Sequence, residues 1–524
     1  MNLYKATGTI GGLTMVSRLA GLAREMIFAR VLGANAVTDA FLQAFMLPNI
    51  FRRLFAEGAF SAAFVPMFSK RLHGEGGLDS AKSFSEEVLS VFLPVLILLA
   101  ALFEIAMPGV IWLLAEDWQD SPGQFELAVD LARITFPYIV LVSLVTLFTG
   151  MLNSVSRFAP GASFPIILNV VLIGALIVGD RWIAAGAELS EVAYLLAWAV
   201  AAAGLCQLGW LYVWLRREGF NPRIRRPRLT PEVKRLGIIA LPAAIGAGAY
   251  QINTLVQIYF LNQLEGSMLT YMNYADRLNQ LPLGIIGIAL ATAILPALSR
   301  HIGGDERESA DRVQNNAIEL AMLLTLPATV ALAVCALPFV TMVFQGGRFE
   351  ADDALVTANV LIALVAGLPA YVLVKVFVPA FYARADTRTP VFAALASLTF
   401  FVAFNIVFLY RFGVVGVAAA SAIGAWLNAG LLYAILVRRD HYRMPAALIM
   451  RLLRQLLAAA AMGAALWFAR DLLAGFYAEG VIARLLALAG LVIGGGIVYF
   501  GAAALFGAID RSKLRLLLKR KAAN

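Results

Sequence analysis

The stretch VLSVFLPVLILLAALFEIAMPGVIWLL, residues 88–114, contains a single charged side chain and is long enough to cross a membrane as a helix. A helix of about twenty apolar residues spans the roughly 30 Å hydrocarbon core of a bilayer. Comparable stretches recur along nearly the whole chain, which is 61% hydrophobic and 14% charged. Soluble domains carry roughly 25% charged residues, so this composition excludes a soluble protein.

Apolar windows between polar breaks predict an all-α integral membrane protein with about fourteen transmembrane helices. A closed barrel is disfavoured because strand-length alternation is missing. The predicted spans are 7–32, 37–68, 86–114, 128–153, 160–179, 190–215, 236–262, 269–298, 315–345, 354–382, 390–410, 414–437, 447–468 and 482–507.

Basic residues in the connections predict the orientation of these spans. Arginines crowd residues 216–235 and 438–443, whereas connection 115–127 carries acidic residues and neither Lys nor Arg. The positive-inside rule then assigns both termini to the cytoplasm. Because the cations lie beside spans, the net charge of +9 indicates orientation and affinity for anionic membrane lipid, and no nucleic acid partner is expected.

No cofactor or metal site is predicted. Cys206 and Cys335 each lie in an apolar stretch, and the three histidines lie in polar connections. This distribution disfavours a disulfide framework, a cysteine-based metal site and an intramembrane histidine relay.

Prolines recur at nearly one spacing and indicate an internal repeat. The matched pairs are 230 to 234 positions apart: Pro48 and Pro282, Pro66 and Pro296, Pro137 and Pro369, Pro160 and Pro390. Such a spacing covers six predicted spans, so the halves share an orientation and suit alternating access. We therefore predict a six-helix lobe at 1–220, a second at 221–440, a final helix pair at 441–510 and a basic cytoplasmic tail at 511–524.

Several charged side chains fall inside the predicted spans, where a central charge costs at least ~2.5 kcal/mol. They must face a bundle interior or a watery cavity, pair with one another, or extend to the interface. Arg30 lies near a span end and Arg53 can pair with Glu57, so a structural role is expected for both. The others are Arg18, Arg24, Asp39, Arg52, Asp276, Arg277 and Lys375.

Arg18, Arg24 and Arg277 together predict a path for an anionic substrate. Gly21 is expected to let the first helix bend so that Arg18 and Arg24 reach one cavity. Arg277 lies in the span that the repeat matches to the second span. Arginine suits phosphate or diphosphate because its planar fork makes bidentate hydrogen bonds, whereas a cationic drug would require carboxylates.

Three stretches carry a family resemblance: SRLAGLAREMIFARVLGANAVTDAFLQAFMLPNIFRRLFAEGAFSAAFVP at 17–66, YADRLNQLPLGIIGIALATAILP at 274–296 and LVKVFVPAFYARADTRTPV at 373–391. They resemble the MurJ (MviN) family of bacterial lipid II flippases, in the MOP exporter superfamily. The resemblance covers essentially the whole chain. It implies fourteen helices in two six-helix lobes, plus a final pair whose groove holds the polyprenyl tail.

The resemblance also implies site residues. In this family arginines of the first and eighth helices meet the diphosphate, and Arg18, Arg24 and Arg277 match them. Residue 25 is Glu where some relatives have Asp. The acidic residue that family members have in the second helix is matched by Asp39. Their polar gate is matched by Arg52 and Glu57. The remaining gate or secondary positions are Ser17, Asn49, Asp276 and Lys375.

The implied function is movement of lipid II, an undecaprenyl-diphosphate-linked precursor, across the bacterial inner membrane for peptidoglycan and cell wall biogenesis. We expect a monomeric transporter driven by the membrane potential. Some relatives bind sodium through intramembrane carboxylates, but the seventh, eleventh and twelfth spans contain none. The alternatives are a flippase for another polyprenyl-diphosphate oligosaccharide, a drug exporter, or a membrane enzyme acting on such lipids, which would require clustered metal ligands or a nucleophile with a base.

Overall fold

The structure is a computed structural model, which describes residues 3–53, 60–74, 76–304, 306–477 and 481–508. These residues are almost entirely helical. The helices are α1 Leu3–Leu32, α2 Ala36–Arg52, α3 Ser61–Leu72, α4 Gly77–Leu114, α5 Gln124–Thr135, α6 Tyr138–Ser154, α7 Phe158–Ala184, α8 Leu189–Arg217, α9 Pro231–Asn262, α10 Met268–Gly303, α11 Arg307–Val334, α12 Ala336–Val343, α13 Ala351–Val365, α14 Leu368–Tyr382, α15 Arg388–Arg438, α16 Ala446–Leu472, α17 Ala474–Tyr477 and α18 Val481–Leu505, with a 3-10 turn at Glu116–Asp120.

Nine candidate membrane spans occur within the described ranges, judged by helix length and composition. Two of them, Gln124–Ser154 and Ala351–Tyr382, each combine two consecutive helices across a short break, and Arg388–Arg438 is 51 residues long. The prediction of an all-helical integral membrane protein is confirmed. The number fourteen remains a prediction.

Helix breaks occur at one of the matched proline pairs. α5 ends at Thr135 and α6 begins after Pro137, while α13 ends at Val365 and α14 carries Pro369 in its first turn. Proline has no backbone N–H and therefore interrupts a helix at the residue before it, yet it fits a first turn well. The predicted spans 128–153 and 354–382 each correspond to one candidate membrane span, which is built from two consecutive helices.

α15 is also interrupted, at Gly413. This residue has φ 54° and ψ −145°, a conformation that only glycine adopts readily. The break lies between the predicted spans 390–410 and 414–437. The Ser397 hydroxyl donates to the Gly424 carbonyl at 2.7 Å, so the two parts of α15 pack beside one another as a hairpin.

The chain divides into two compact units: unit 1, Met1–Thr270 with Gly346–Phe349, and unit 2, Tyr271–Gln345 with Glu350–Asn524. The predicted lobe boundaries at 220 and 440 remain predictions. Stacked phenylalanine rings pack in a hydrophobic core of unit 1. The ring centroids of Phe64 and Phe68 are 5.4 Å apart, and those of Phe64 and Phe84 are 5.7 Å apart.

In unit 2, α10, α11, α14, α15 and α16 share one apolar core. The final helices α16 and α18 form a second core with α11 and α12. An ion pair of 2.9 Å between Arg451 and Glu319 also ties α16 to α11. The final helix pair is therefore packed onto the rest of unit 2.

The carboxyl end of α1 is held by the segment Gly346–Phe349. The Arg348 amide donates to the Arg30 carbonyl at 2.9 Å, and the Arg348 guanidinium donates to the Val31 carbonyl at 3.2 Å. These bonds satisfy carbonyls that a helix end leaves without partners. A Cβ on Gly347 would lie 2.2 Å from the Arg30 carbonyl oxygen, and its φ is +57°, so this close approach requires glycine.

Asp39, near the start of α2, caps the amino end of α10. Its side chain is 2% exposed and accepts hydrogen bonds from the backbone amides of Leu269 at 3.3 Å and Thr270 at 2.9 Å. The Thr270 hydroxyl donates to the same carboxylate. A carboxylate at this position satisfies free amides and favours the positive end of the helix dipole.

Gly347→Ala should destabilise the protein more than Gly77→Ala. Gly77 has a similar φ of +53° but open space around its Cβ position. Both substitutions carry the left-handed backbone strain of roughly 1–2 kcal/mol, and Gly347→Ala adds overpacking of about 1–3 kcal/mol. The apparent unfolding temperature of the detergent-solubilised variants measures the difference, and equal shifts would contradict the contact between Gly347 and α1.

Asp39→Ala should destabilise the fold because it leaves two buried amides and a hydroxyl without an acceptor, at about 1–3 kcal/mol for each group. Thr270→Val removes one donor and should give a smaller loss. Asp180→Ala is the control, since Asp180 is an exposed carboxylate. Thermal unfolding checks this, and a stable Asp39→Ala protein would show that the cap contributes nothing.

Candidate functional site

The predicted site residues of unit 1 lie on α1 and α2. α1 packs against α7, and the Asn169 side chain of α7 donates to the Ser17 carbonyl at 3.3 Å. α1 continues as one helix through Gly21, whose Cβ position would lie 3.8 Å from Asn169. We expected a bend at Gly21. The absence of a side chain there instead leaves Asn169 close to the α1 backbone.

Arg24 is nearly buried and has a carboxylate beside it. Its side chain is 12% exposed and forms an ion pair with Glu25, which is itself 5% exposed. The guanidinium carbon lies 5.9 Å from the centre of the Phe45 ring on α2. A buried charge needs such a partner because removal from water is otherwise strongly unfavourable.

Arg52, at the end of α2, adds a second cation to the same region. The guanidinium groups of Arg52 and Arg24 both lie near the hydroxyl of Tyr138, the first residue of α6. That hydroxyl donates to Gln207 Oε1 on α8 at 3.1 Å, and Gln207 Nε2 donates to the Phe164 carbonyl at 2.9 Å. We call Arg24, Glu25, Arg52, Tyr138 and Gln207 the unit 1 basic cluster.

Tyr138 and Gln207 were missed from the sequence. Tyr138 is 2% exposed and Gln207 is fully buried, although both lie in spans where single polar residues are common. The sequence offered one signal, because Tyr138 follows the helix-breaking Pro137 and so begins a helix. The helix break sets the position from which the Tyr138 side chain reaches Gln207 on α8.

Arg18 is half-buried on α1 and, among the residues that the structure describes, has neither a hydrogen bond nor an ion pair. Asn49 donates to the Phe45 carbonyl of its own helix at 2.8 Å. The Asp39 carboxylate is hydrogen-bonded to backbone amides at the start of α10. A substrate contact by Asp39 or by Asn49 remains a prediction. Unit 1 thus holds Arg18, Arg24 and Arg52 on α1 and α2, and the buried carboxylate of Glu25 is paired with Arg24.

The other predicted residues belong to unit 2 or fall outside the described ranges. Arg277 is half-buried on α10, and the Asp276 carboxylate one position earlier accepts from Gln280. Lys375 is exposed on α14 and has no partner within the described part of the chain. Glu57 lies in 54–59, which the structure does not describe. Their roles at the site remain predictions.

The arrangement in unit 1 is suited to holding an anion. Three arginines in an apolar bundle can offer forked N–H donors to phosphate oxygens, and arginine stays charged after desolvation. Among the described residues, no group of three or more His, Cys, Asp or Glu side chains is placed to hold a metal ion.

Known proteins provide an independent comparison. The family profile described as lipid II flippase MurJ matches residues 28–488. A probable lipid II flippase MurJ from Rhizobium meliloti is 42% identical over 526 residues, which cover 100% of this chain and 97% of that protein.

Two solved structures share the fold. A lipid II flippase MurJ in an inward closed conformation has a TM-score of 0.76 at 22% identity and covers 95% of this chain and 98% of its own. An inward-facing multidrug resistance MATE transporter of the MOP superfamily has a TM-score of 0.63 at 16% identity and covers 82% of this chain and 97% of its own. Taken with the profile match and the full-length identity, these findings show that the chain belongs to the lipid II flippase MurJ family.

Proposed function

We propose that this protein is a lipid II flippase of the bacterial inner membrane, a transporter rather than an enzyme, which supplies peptidoglycan and cell wall biosynthesis. The observation that carries the proposal is the excess of arginine over carboxylate on α1 and α2 of unit 1. Family membership supplies the substrate, because the matching relatives are described as lipid II flippases.

The head group of lipid II cannot cross hydrocarbon unaided, because its diphosphate, sugars and peptide would lose their hydration. In our proposal the diphosphate meets Arg18 and Arg24 while the polyprenyl tail stays in lipid. Arg24 is paired with Glu25 before substrate arrives. A diphosphate carries more negative charge than one carboxylate, so it can take over the guanidinium of Arg24. Alternating access of the two lobes then moves the head group to the outer leaflet.

Glu25 has a defined part in this scheme. It compensates Arg24 in the empty protein, so that the cation is not left unpaired in an apolar bundle. When substrate leaves, Glu25 can recover Arg24 and so favour release. This role fits the near burial of both side chains.

The membrane potential is the proposed driving force. The positive-inside rule favours cytoplasmic termini, and an inside-negative potential contributes ~2.3 kcal/mol per charge per 100 mV to outward movement of an anion. The return of the empty, cationic site is favoured by the same field. We propose no metal cofactor, and a monomeric state remains an expectation.

A flippase for a different polyprenyl-diphosphate oligosaccharide would use the same arginines. The family match disfavours that alternative, since the profile and the relative from R. meliloti both carry the lipid II description. A drug exporter would be expected to offer carboxylates to a cation, whereas arginine predominates in unit 1.

Arg24→Ala should abolish support of growth in bacteria depleted of their own lipid II flippase. Loss of a charge-assisted contact of about 1.5–3 kcal/mol corresponds to roughly ten- to hundredfold weaker binding. Arg24→Ala also removes an ion-pair partner of the buried Glu25, so the double variant Arg24→Ala/Glu25→Gln is compared with it. It should restore protein abundance in the membrane without restoring growth. Arg181→Ala, at an exposed position of α7, is the control and should support growth. Growth of the double variant would refute the role of Arg24.

An imposed potential should change the rate of transport. In vesicles containing the purified protein and fluorescent lipid II, a potassium gradient with valinomycin sets the potential. A potential negative on the side with the termini should accelerate the appearance of head groups on the opposite side, and the reversed potential should slow it. Protein-free vesicles are the control. Rates that do not respond to either sign would contradict electrical driving.

A further inference from the structure

A basic pocket lies in unit 2, and its lining contains none of the predicted substrate residues. It has a volume of about 550 Å³, within the roughly 300–1,000 Å³ typical of small-ligand sites. The pocket lies between the two ends of the α15 hairpin. Its lining residues are Arg388, Thr389, Phe392, Ile435, Arg438 and Arg439.

Two of the three arginines are available to a ligand. Arg439 is paired with Asp386 at 2.6 Å. Hydrogen bonds from the Thr389 hydroxyl and amide, and the contact with Arg439, lower the pKa of Asp386 to about 2, so this carboxylate stays charged and occupied. Within the described residues, the guanidinium groups of Arg388 and Arg438 have neither a hydrogen bond nor an ion pair, and both side chains are exposed.

A second carboxylate near this end of α15, that of Asp440, also has a partner. Asp440 pairs with Arg307 at 2.8 Å. The pocket therefore keeps an uncompensated charge from Arg388 and Arg438. Forked guanidinium donors on two sides of a cavity favour a phosphate group as the ligand.

An apolar surface continues from the pocket along the first part of α15. Val391, Phe392 and Leu395 are 48%, 63% and 51% exposed. These exposed apolar side chains are suited to contact with acyl chains beside the basic pocket. A ligand with a phosphate attached to acyl chains would match both surfaces, whereas a free phosphate would use the arginines alone.

The corresponding place in unit 1 is different. Phe158 stands where the proline match of 160 with 390 would place Arg388. Its neighbour Arg157 pairs with Glu218 at 2.8 Å, and Arg217 stacks over Trp214 at 5.1 Å. Arg216 lies 6.0 Å from the Tyr212 ring. The exposed cations at the end of α8 thus contact aromatic rings, whereas Arg388 and Arg438 line a pocket.

We propose that the α15 pocket binds the phosphate of an anionic phospholipid, with Arg388 and Arg438 on the phosphate oxygens and the acyl chains along Phe392 and Leu395. The site lies at the end of α15 that the positive-inside rule assigns to the cytoplasmic leaflet. Basic pockets between membrane helices on that side suit lipid head groups. The inference does not depend on lipid II as the transported substrate.

Native mass spectrometry of the purified, delipidated full-length protein tests this, with phosphatidylglycerol and phosphatidylcholine of identical acyl chains as probes. The wild type should bind phosphatidylglycerol preferentially. Each charge-assisted contact to the phosphate contributes roughly tenfold or more in affinity, so Arg388→Gln/Arg438→Gln should weaken binding by about a hundredfold or more. The matched control Arg216→Gln/Arg217→Gln removes two cations from unit 1 and should stay within about twofold of the wild type.

Three results would overturn the proposal. Equal losses of phosphatidylglycerol binding in the two double variants would indicate general electrostatic attraction. Equal binding of phosphatidylcholine would remove the requirement for an anion. Displacement of phosphatidylglycerol by equimolar inorganic phosphate would point to a soluble phosphate as ligand.

A measurement on the wild type keeps the test independent of variant folding. Phosphatidylglycerol with a photoactivatable head group should label peptides containing 388–392 and 435–439. Labelling confined to other segments would exclude the α15 pocket.

Discussion

A charge placed inside an apolar helix bundle must have a partner, and this constraint shapes unit 1. Arg24 is nearly buried on α1, and its partner Glu25 is the adjacent residue on the same helix. Adjacent residues of a helix do not face each other, so the two side chains are held together by what surrounds them. The surroundings are α7, which packs on α1, and Phe45 from α2. In our proposal a diphosphate replaces Glu25 as the ion-pair partner of Arg24, so the guanidinium has an anionic partner before and after substrate binds.

Hydrogen bonds from distant segments also satisfy backbone groups at the helix ends. The Asp39 carboxylate accepts a hydrogen bond from a backbone amide at the start of α10. The Arg348 guanidinium donates to a carbonyl at the end of α1. Backbone groups at helix ends lack partners within their own helix, and these side-chain and main-chain contacts satisfy them. Gly347 permits one of these contacts because no larger residue fits against the Arg30 carbonyl. The positions of α1 and α2 thus depend on capping interactions with segments far away in sequence.

Much of the fold could be predicted from the sequence, since apolar length alone identifies membrane helices. The matched prolines indicated an internal repeat, but they did not predict the helix breaks beside Pro137 and Pro369, because Pro48 and Pro282 lie inside continuous helices. The partners of charged residues could not be predicted. Pairing of Arg24 with Glu25, and of Asp39 with Thr270, depends on side-chain direction and on contacts across more than two hundred positions. Tyr138 and Gln207 could not be predicted as site residues, because a single polar residue in an apolar span forms no periodic pattern. The α15 pocket was not predicted from the sequence either, because Arg438 and Arg439 were interpreted as orientation signals.

The central claim is that arginines of the membrane domain recognise the diphosphate of the transported lipid. Transport by the wild-type protein in vesicles can be compared for lipid II and for an analogue in which an uncharged linker of similar length replaces the diphosphate. Recognition through the arginines predicts that head groups of lipid II reach the opposite leaflet and that those of the analogue remain behind, as they do in protein-free vesicles. Equal transport of the two lipids would contradict the claim.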